Sequence, residues 1–329
     1  MSKPVAKAIA AAKTNKTPDS LVKCEVEVES GVWVSPESCA TYKIDADANF
    51  PSIVFEIKTE IPGPYEWSWE IKWVVLACPQ KKSKPRFKPK RGKTYSLRGR
   101  FSSSSKQWQA NLDGQVIGGE LTVCVKAGVK LFTRKTVIEG TEPGRDAVLK
   151  ELASFAESQP REANLAKRIF TQETNFHHFY SDGQPLVSFD NGYGLGQATT
   201  PVPTYEQAWS WKKHVGYIVK SVIVDKRKLA KKYLDRHGKY SEDDLDVETL
   251  VYYNGANYHY FVWDEKSKSW IKNESVLCDP LQSNTGWDLA NQENQGKAIE
   301  QLRKGEGGKP KYTGRCYAEH ILKREGRGE

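Results

Sequence analysis

Trp67-Ser68-Trp69-Glu70-Ile71-Lys72-Trp73 alternates apolar and polar side chains without a break. A period of two belongs to a β-strand whose two faces meet different surroundings, so the segment sets three indoles on one face and Ser68, Glu70 and Lys72 on the other. Val22–Val28, Ile53–Lys58 and Glu120–Lys126 repeat the pattern. Ile61-Pro62-Gly63-Pro64, Ser102–Ser105 and Gly118-Gly119 separate the runs with turn-forming residues. The indole face reads as core, with an exposed sugar- or protein-binding strip as the alternative.

Short strands broken in this way predict an antiparallel β-sandwich of immunoglobulin-like type over residues 20–142, serving as an adaptor or binding domain. Around Gly140-Thr141-Glu142-Pro143-Gly144 the period changes. Val148, Leu149, Leu152 and Phe155, then Leu165, Ile169 and Phe170, follow helical spacing. Further helices are expected over Thr204–His237, Asp243–Tyr253 and near Leu289–Arg303. The chain therefore reads as an α+β multidomain protein. Residues 1–19 form a flexible arm, 20–142 the sandwich, and 143–329 a mainly α domain.

At 329 residues, 38% hydrophobic and 11% aromatic, the composition is that of a folded chain. No window holds the roughly 18 apolar residues that a membrane helix needs, so no integral membrane segment is expected. The first seventeen residues lack an apolar stretch followed by a cleavage site, so export by the general route is not expected. The net charge of +9 points to a polyanionic partner: nucleic acid, an anionic membrane face or a cell wall. The densest basic run, Lys81–Lys93, contains two prolines and reads as a solvated loop, with anion contact as the alternative. No RNA-recognition, helix-turn-helix or finger motif accompanies it, which argues against nucleic acid. Six cysteines without CxxC spacing disfavour zinc ribbons and thioredoxin-like chemistry, and leave pairing within each half open.

Chemistry concentrates in the helical half. A helix from about Glu162 ends in Phe170-Thr171-Gln172-Glu173-Thr174-Asn175-Phe176. Asp190-Asn191-Gly192-Tyr193-Gly194-Leu195-Gly196-Gln197 follows as a glycine-rich loop, and Tyr252-Tyr253-Asn254-Gly255-Ala256-Asn257 as a helix end. Flanking phenylalanines disfavour the charged form of Glu173, and a carboxyl kept protonated near neutrality can act as a general acid. The glycines let backbone approach a bulky ligand, while Gln197 and Asn254 each offer a donor and an acceptor. One acid, two amides and several tyrosines suit a neutral amino-sugar chain. Rival chemistries lack their motifs. The GxGxG run has Gln197 where a dinucleotide fingerprint needs glycine, and no GxSxG elbow is present. His177-His178 lack a third ligand and read as exposed histidines, so no metal and no cofactor is implied.

In order and spacing these pieces resemble the lysozyme-like superfamily, specifically lytic transglycosylases and goose-type lysozymes. The matching elements are Glu173-Thr174, Gly194-Leu195-Gly196-Gln197 and Tyr253-Asn254. Gly196 stands where the family has Met, and Tyr252 where it has Ala. The resemblance covers roughly Glu162–Asn257. It implies that Glu173 protonates the β-1,4 bond between N-acetylmuramic acid and N-acetylglucosamine, with Gln197, Asn254, Tyr193, Tyr253, Gly194 and Leu195 around the sugar. Asp190 and Asp182 are the candidates for a second carboxylate that would make the enzyme a hydrolase rather than an anhydro-forming transglycosylase. Trp209, Trp211, Tyr258 and Tyr260 are further candidates for the cleft wall, with core packing as the alternative for the two tryptophans. Gly196→Met is expected to be tolerated, and Gly194→Val to abolish activity without unfolding.

An enzyme of this kind without an export signal points to an antibacterial effector. It would be made in the cytoplasm, loaded on a secretion apparatus, delivered to the periplasm or wall of a target bacterium, and matched by an immunity protein. A phage endolysin and an inactive wall-binding module are the alternatives.

Overall fold

The computed structural model describes residues 29–78, 86 and 93–325. The arm, the strand expected at Val22–Val28 and most of the basic run lie outside these residues. Among the described residues eight strands come first: β1 (Trp33–Ser35), β2 (Ala40–Ile44), β3 (Val54–Ile57), β4 (Tyr65–Val74), β5 (Thr94–Ser103), β6 (Gln107–Gln109), β7 (Gly119–Ala127) and β8 (Lys130–Gly140). Burial alternates along β4 as its sequence demands, and Trp67 and Trp73 are 1% and 2% exposed. One sheet has the order β2-β8-β7-β4-β5 and the other β1-β3-β6. Phe55 and Trp108 of the smaller sheet pack against Trp67, Trp69 and Phe101 of the larger, with the Phe55 and Trp108 rings stacked at 5.7 Å.

The expectation of a wholly antiparallel arrangement is corrected at one position, because β2 runs parallel to β8. These strands lie some ninety residues apart and no hairpin joins them, so connectivity does not impose the antiparallel sense.

The second half begins with α1 (Arg145–Ala153) and α2 (Pro160–Glu173). Proline opens α2 where the missing N–H costs nothing, and Ala163, Leu165, Ala166, Ile169 and Phe170 form its buried face. The helix predicted over 204–237 is broken at Ser210. Its hydroxyl caps a new start, leaving α3 (Tyr205–Trp209) apart from α4 (Trp211–Tyr217), a π-helical turn (Ile218–Ile223) and α5 (Val224–Leu234). α6 (Glu242–Tyr253) starts in a capping box of Ser241 and Asp244.

The remainder is less helical than predicted. β9 (Phe261–Asp264) and β10 (Ser269–Lys272) form a hairpin, and β11 (Val276–Cys278), β12 (Thr285–Asp288) and β13 (Lys311–Tyr312) form a small sheet. The helix expected near Leu289–Arg303 shrinks to α7 (Ile299–Arg303) before the final helix α8 (Gly314–Glu325). A Cys278–Cys316 disulfide ties α8 to β11, and Cys39 is disulfide-bonded as well. Among the described residues no helix is long and apolar enough to cross a membrane.

Strand gives way to helix between Gly140 and Arg145, yet the sandwich core continues past that point. Phe179, Val187, Tyr193, Tyr205 and Trp209 join it. Trp209 meets Trp73 edge-on at 5.4 Å, and a Cβ on Gly118 would lie 2.2 Å from the Trp209 ring. The hydroxyl of Tyr205 donates to the Gly118 carbonyl at 2.7 Å, that of Tyr95 to Pro203 at 2.8 Å, and the Trp211 indole to Ala46 at 2.9 Å. The two halves are therefore interlocked by apolar packing and by polar contacts across it.

Candidate active site

Glu173 is the last residue of α2. Asn175 and Phe176 follow with φ of 50° and 66°, and the Phe176 N–H returns to the Phe170 carbonyl at 3.2 Å, which closes the helix and turns the chain away. Thr174 Oγ1 donates to the Leu195 carbonyl at 2.9 Å, fastening the helix end to the glycine-rich loop. Glu173 Oε1 accepts a hydrogen bond from the buried Tyr317 hydroxyl at 2.6 Å. Burial pushes the Glu173 carboxyl up to about 7; the Tyr317 bond opposes this and the negative charge of Asp190 adds to it.

The carboxyl faces a cleft of about 420 Å³. Ser188, Phe189, Asp190, Gln197, Thr199 and Thr200 line one part of it, Val222 of the π-helical turn and Lys226 of α5 another, and Tyr253, Asn254, Asn284 and Tyr312 the rest. The structure thus brings Glu173, Asp190, Gln197, Tyr253 and Asn254 together, as the sequence predicted. Asp190 accepts from the Ser188 hydroxyl, which also receives the Gly192 N–H at 2.8 Å. Gln197 donates to the Gly194 carbonyl at 2.7 Å, and Tyr253 to the Gly196 carbonyl. The side-chain oxygen of Asn254 is buried without a hydrogen-bond partner, an unusual state that a ligand N–H would relieve. Lys226 is the only cation on the cleft wall among the described residues, and burial lowers its pKa.

Four of the predicted positions are corrected. Asp182 is not in the cleft: it pairs with Arg86 and accepts the Gln184 N–H at 3.1 Å. Tyr193 is 2% exposed and sits in the sandwich core, edge-on to Trp73 and Tyr95, because the loop turns this ring toward the β half. Gly194 and Leu195 are buried within the loop and do not line the cleft. A Cβ on Gly194 would come within 2.7 Å of His178 and 2.9 Å of His214 at φ +57°, so Gly194→Val is a folding defect and not a clean loss of activity. A Cβ on Gly196 would meet the Tyr253 hydroxyl at 2.8 Å and Ile218 at 2.9 Å, so Gly196→Met requires the ends of those two side chains to shift.

The aromatic and histidine expectations also change. Trp209 and Trp211 are core residues, Tyr258 donates to Asp288 at 2.8 Å, and Tyr260 packs against the helical core. None of the four lines the cleft. His178 is fully buried, whereas His177 is exposed beside Glu142. His178 meets His214 at a ring separation of 5.0 Å. Burial takes His214 down to about 4 and His178 well below its ordinary range, so both rings are neutral props for the loop above them. Gly196 N–H points at the His214 ring at 3.5 Å.

Sequence reasoning missed Tyr312, Tyr317, Asn284, Phe189 and Lys226. Tyr312, Tyr317 and Asn284 come from the segment after Cys278, more than a hundred residues from Glu173, with no motif around them. Cys316, adjacent to Tyr317, was the one available signal, because a disulfide there fixes the residue next to it. No family model, curated protein or solved structure matches the chain.

Proposed function

We propose that the protein cleaves the glycan strands of peptidoglycan at the β-1,4 bond between N-acetylmuramic acid and N-acetylglucosamine. The helical half would be a lysozyme-like frame and the β half an immunoglobulin-like adaptor. The observation that carries this reading is Glu173: a carboxyl raised to about 7, held by Tyr317, at the wall of a cleft large enough for a sugar. Protonated Glu173 donates its proton to the glycosidic oxygen as the bond to C1 breaks, and positive charge develops on the ring. The Asn254 oxygen is available for an acetamide N–H, Phe189 and Tyr312 for sugar faces, and Lys226 for the lactyl carboxylate of muramic acid.

Two endings follow from the same first step. In one, the Glu173 carboxylate takes the proton of the sugar's own 6-hydroxyl, whose oxygen closes on C1 as a 1,6-anhydro ring. In the other, a water adds to C1 with Asp190 as the second carboxylate. Asp182 is too firmly engaged elsewhere to take that role. Digestion of purified peptidoglycan by the wild type and Glu173→Gln, read by mass spectrometry, separates these endings. Anhydro termini lost in the variant assign a transglycosylase, and reducing termini a muramidase. A folded wild type that yields neither product refutes the reading and leaves a wall-binding module.

The biological role we propose is an antibacterial effector delivered to the periplasm or wall of a target cell, with an immunity protein as its inhibitor. The Cys278–Cys316 disulfide suits an oxidising destination. Expression directed to the periplasm is expected to lyse cells while cytoplasmic expression is not, and equal toxicity in both would contradict a wall target.

A further inference from the structure

Cys278 and Cys316 stand 38 positions apart, and their disulfide closes the segment between them into a loop that carries β12, α7 and β13. Asn284 and Tyr312 of this loop form part of the Glu173 cleft wall. Tyr317, the first residue past the bridge, donates to the Glu173 carboxyl at 2.6 Å. The loop has little core of its own. Over residues 279–312 the buried apolar side chains are Trp287 and Leu302, while Leu281 and Tyr312 are 77% and 52% exposed. Its Arg303–Asp279 ion pair and its β12–β13 pairing lie within the loop and tie it to nothing else. The pairing of β12 with β11 and the bond from Tyr258 to Asp288 tie it to the rest of the chain, and the bridge joins its two ends. A Cβ on Gly286 would lie 2.8 Å from Cys316 Sγ, so the middle of β12 rests directly on that bridge. A segment so poor in buried apolar surface depends on its covalent closure, because opening the loop returns conformational freedom that two buried side chains do little to offset.

We infer that the Cys278–Cys316 disulfide is a redox lock on the Glu173 cleft: oxidised, it holds the 279–312 wall and Tyr317 against the acid, and reduced, it releases them. The lock rests on the reading of that cleft as the catalytic site only for its effect on cleavage. The reductant is a small thiol or dithiol of the kind a reducing compartment supplies. One of its thiolates attacks a sulfur of the bridge to give a mixed disulfide, and a second thiolate resolves it. Two electrons and two protons pass to the chain, which gains two thiols, and the reductant leaves as its own disulfide. Most of the cleft wall is unaffected, because Asp190, Gln197, Lys226 and Asn254 belong to elements outside the loop. An enzyme built in this way is held open where thiols are abundant and assembled where they are not, which spares the cell that makes it.

The test follows amide hydrogen exchange by mass spectrometry, together with peptidoglycan cleavage, on the full chain in three states: oxidised, treated with dithiothreitol, and reoxidised with oxidised glutathione. Alkylation of free thiols checks each state. On reduction, exchange in peptides from 279–312 is expected to quicken at least tenfold while that of α2 and β4 changes less than twofold. Cleavage is expected to fall at least tenfold, and reoxidation to restore both. Cys278→Ala/Cys316→Ala is expected to match the reduced protein without any reductant, which separates this bond from the one at Cys39. Should that variant fail to fold, the reduced wild type carries the same measurement. Exchange over 279–312 that reduction leaves unchanged would overturn the lock. Equal quickening of α2 and β4 in the double variant would make the bond a general staple and overturn it too, as would full cleavage by a chain whose 279–312 exchange has quickened. Quickened exchange confined to 279–312 in a chain that cleaves peptidoglycan in neither state keeps the lock and refutes the glycan-cleaving reading instead.

Discussion

The sandwich core and the Glu173 cleft use the same side chains to opposite ends. In the core, Tyr95, Tyr193 and Tyr205 pack with Trp73 and Trp209, and the hydroxyls of Tyr95 and Tyr205 end on main-chain carbonyls. Around the cleft, Tyr253 also ends on a carbonyl, but Tyr317 ends on a carboxyl that titrates near neutrality. A buried tyrosine satisfied by backbone has finished its work in folding. One satisfied by an acid couples folding to the protonation of that acid. The difference lies in what the hydroxyl meets, and it predicts that the two regions respond oppositely to substitution: the core loses stability, whereas the cleft can lose activity and gain stability.

Glu173→Gln gives the largest separation. Loss of a general acid is expected to reduce cleavage by about 10²- to 10⁴-fold, measured by product release from peptidoglycan. The same variant is expected to be more stable than wild type at pH 8. With a folded pKa raised from 4.5 to about 7, the carboxyl's contribution is fully present below pH 4.5. It is lost as pH rises through 7, because the unfolded chain ionises freely while the folded one resists. The cost reaches about 3 kcal/mol, which Gln does not incur. Urea melts of the two proteins at pH 5 and pH 8 check this, and a stability difference independent of pH would break the comparison.

Gly194→Val tests the buried packing beneath the glycine-rich loop. It places a β-branched residue at φ +57° against two histidine rings, and a loss of about 3 kcal/mol or more in chemical denaturation is expected, with activity falling only as far as the folded fraction does. Tyr317→Phe keeps the ring in the core and removes the bond that favours ionised Glu173. The alkaline limb of the pH–rate profile is expected to move up by about one pH unit, with kcat down roughly tenfold. A profile that stays in place would show Tyr317 to be structural only. The smallest effect belongs to Lys226→Gln, for which we expect KM to rise about fivefold on peptidoglycan and not at all on a chitin oligosaccharide without lactyl carboxylates.

What could be read along the chain is what depends on neighbours in sequence. The period of two in Trp67–Trp73 and the helical spacing of Leu165, Ile169 and Phe170 appear in β4 and α2 as predicted, because pleat and helix set which side chains share a face. The cluster of Glu173, Gln197, Tyr253 and Asn254 was legible through its spacing. Asp182 and Asp190, eight positions apart, were not distinguishable, since Arg86 claims one and the cleft the other. Tyr193 had every local sign of a sugar-binding residue, yet it points into a core built from strands about a hundred residues earlier. Tyr317 had none, and β11, α8 and a disulfide bring it to Glu173. Local patterning thus gives β4, α2 and the place of Glu173 at a helix end, because these rest on short-range geometry. Which polar groups surround the acid is settled by packing between distant segments, and with it the direction in which its proton is held.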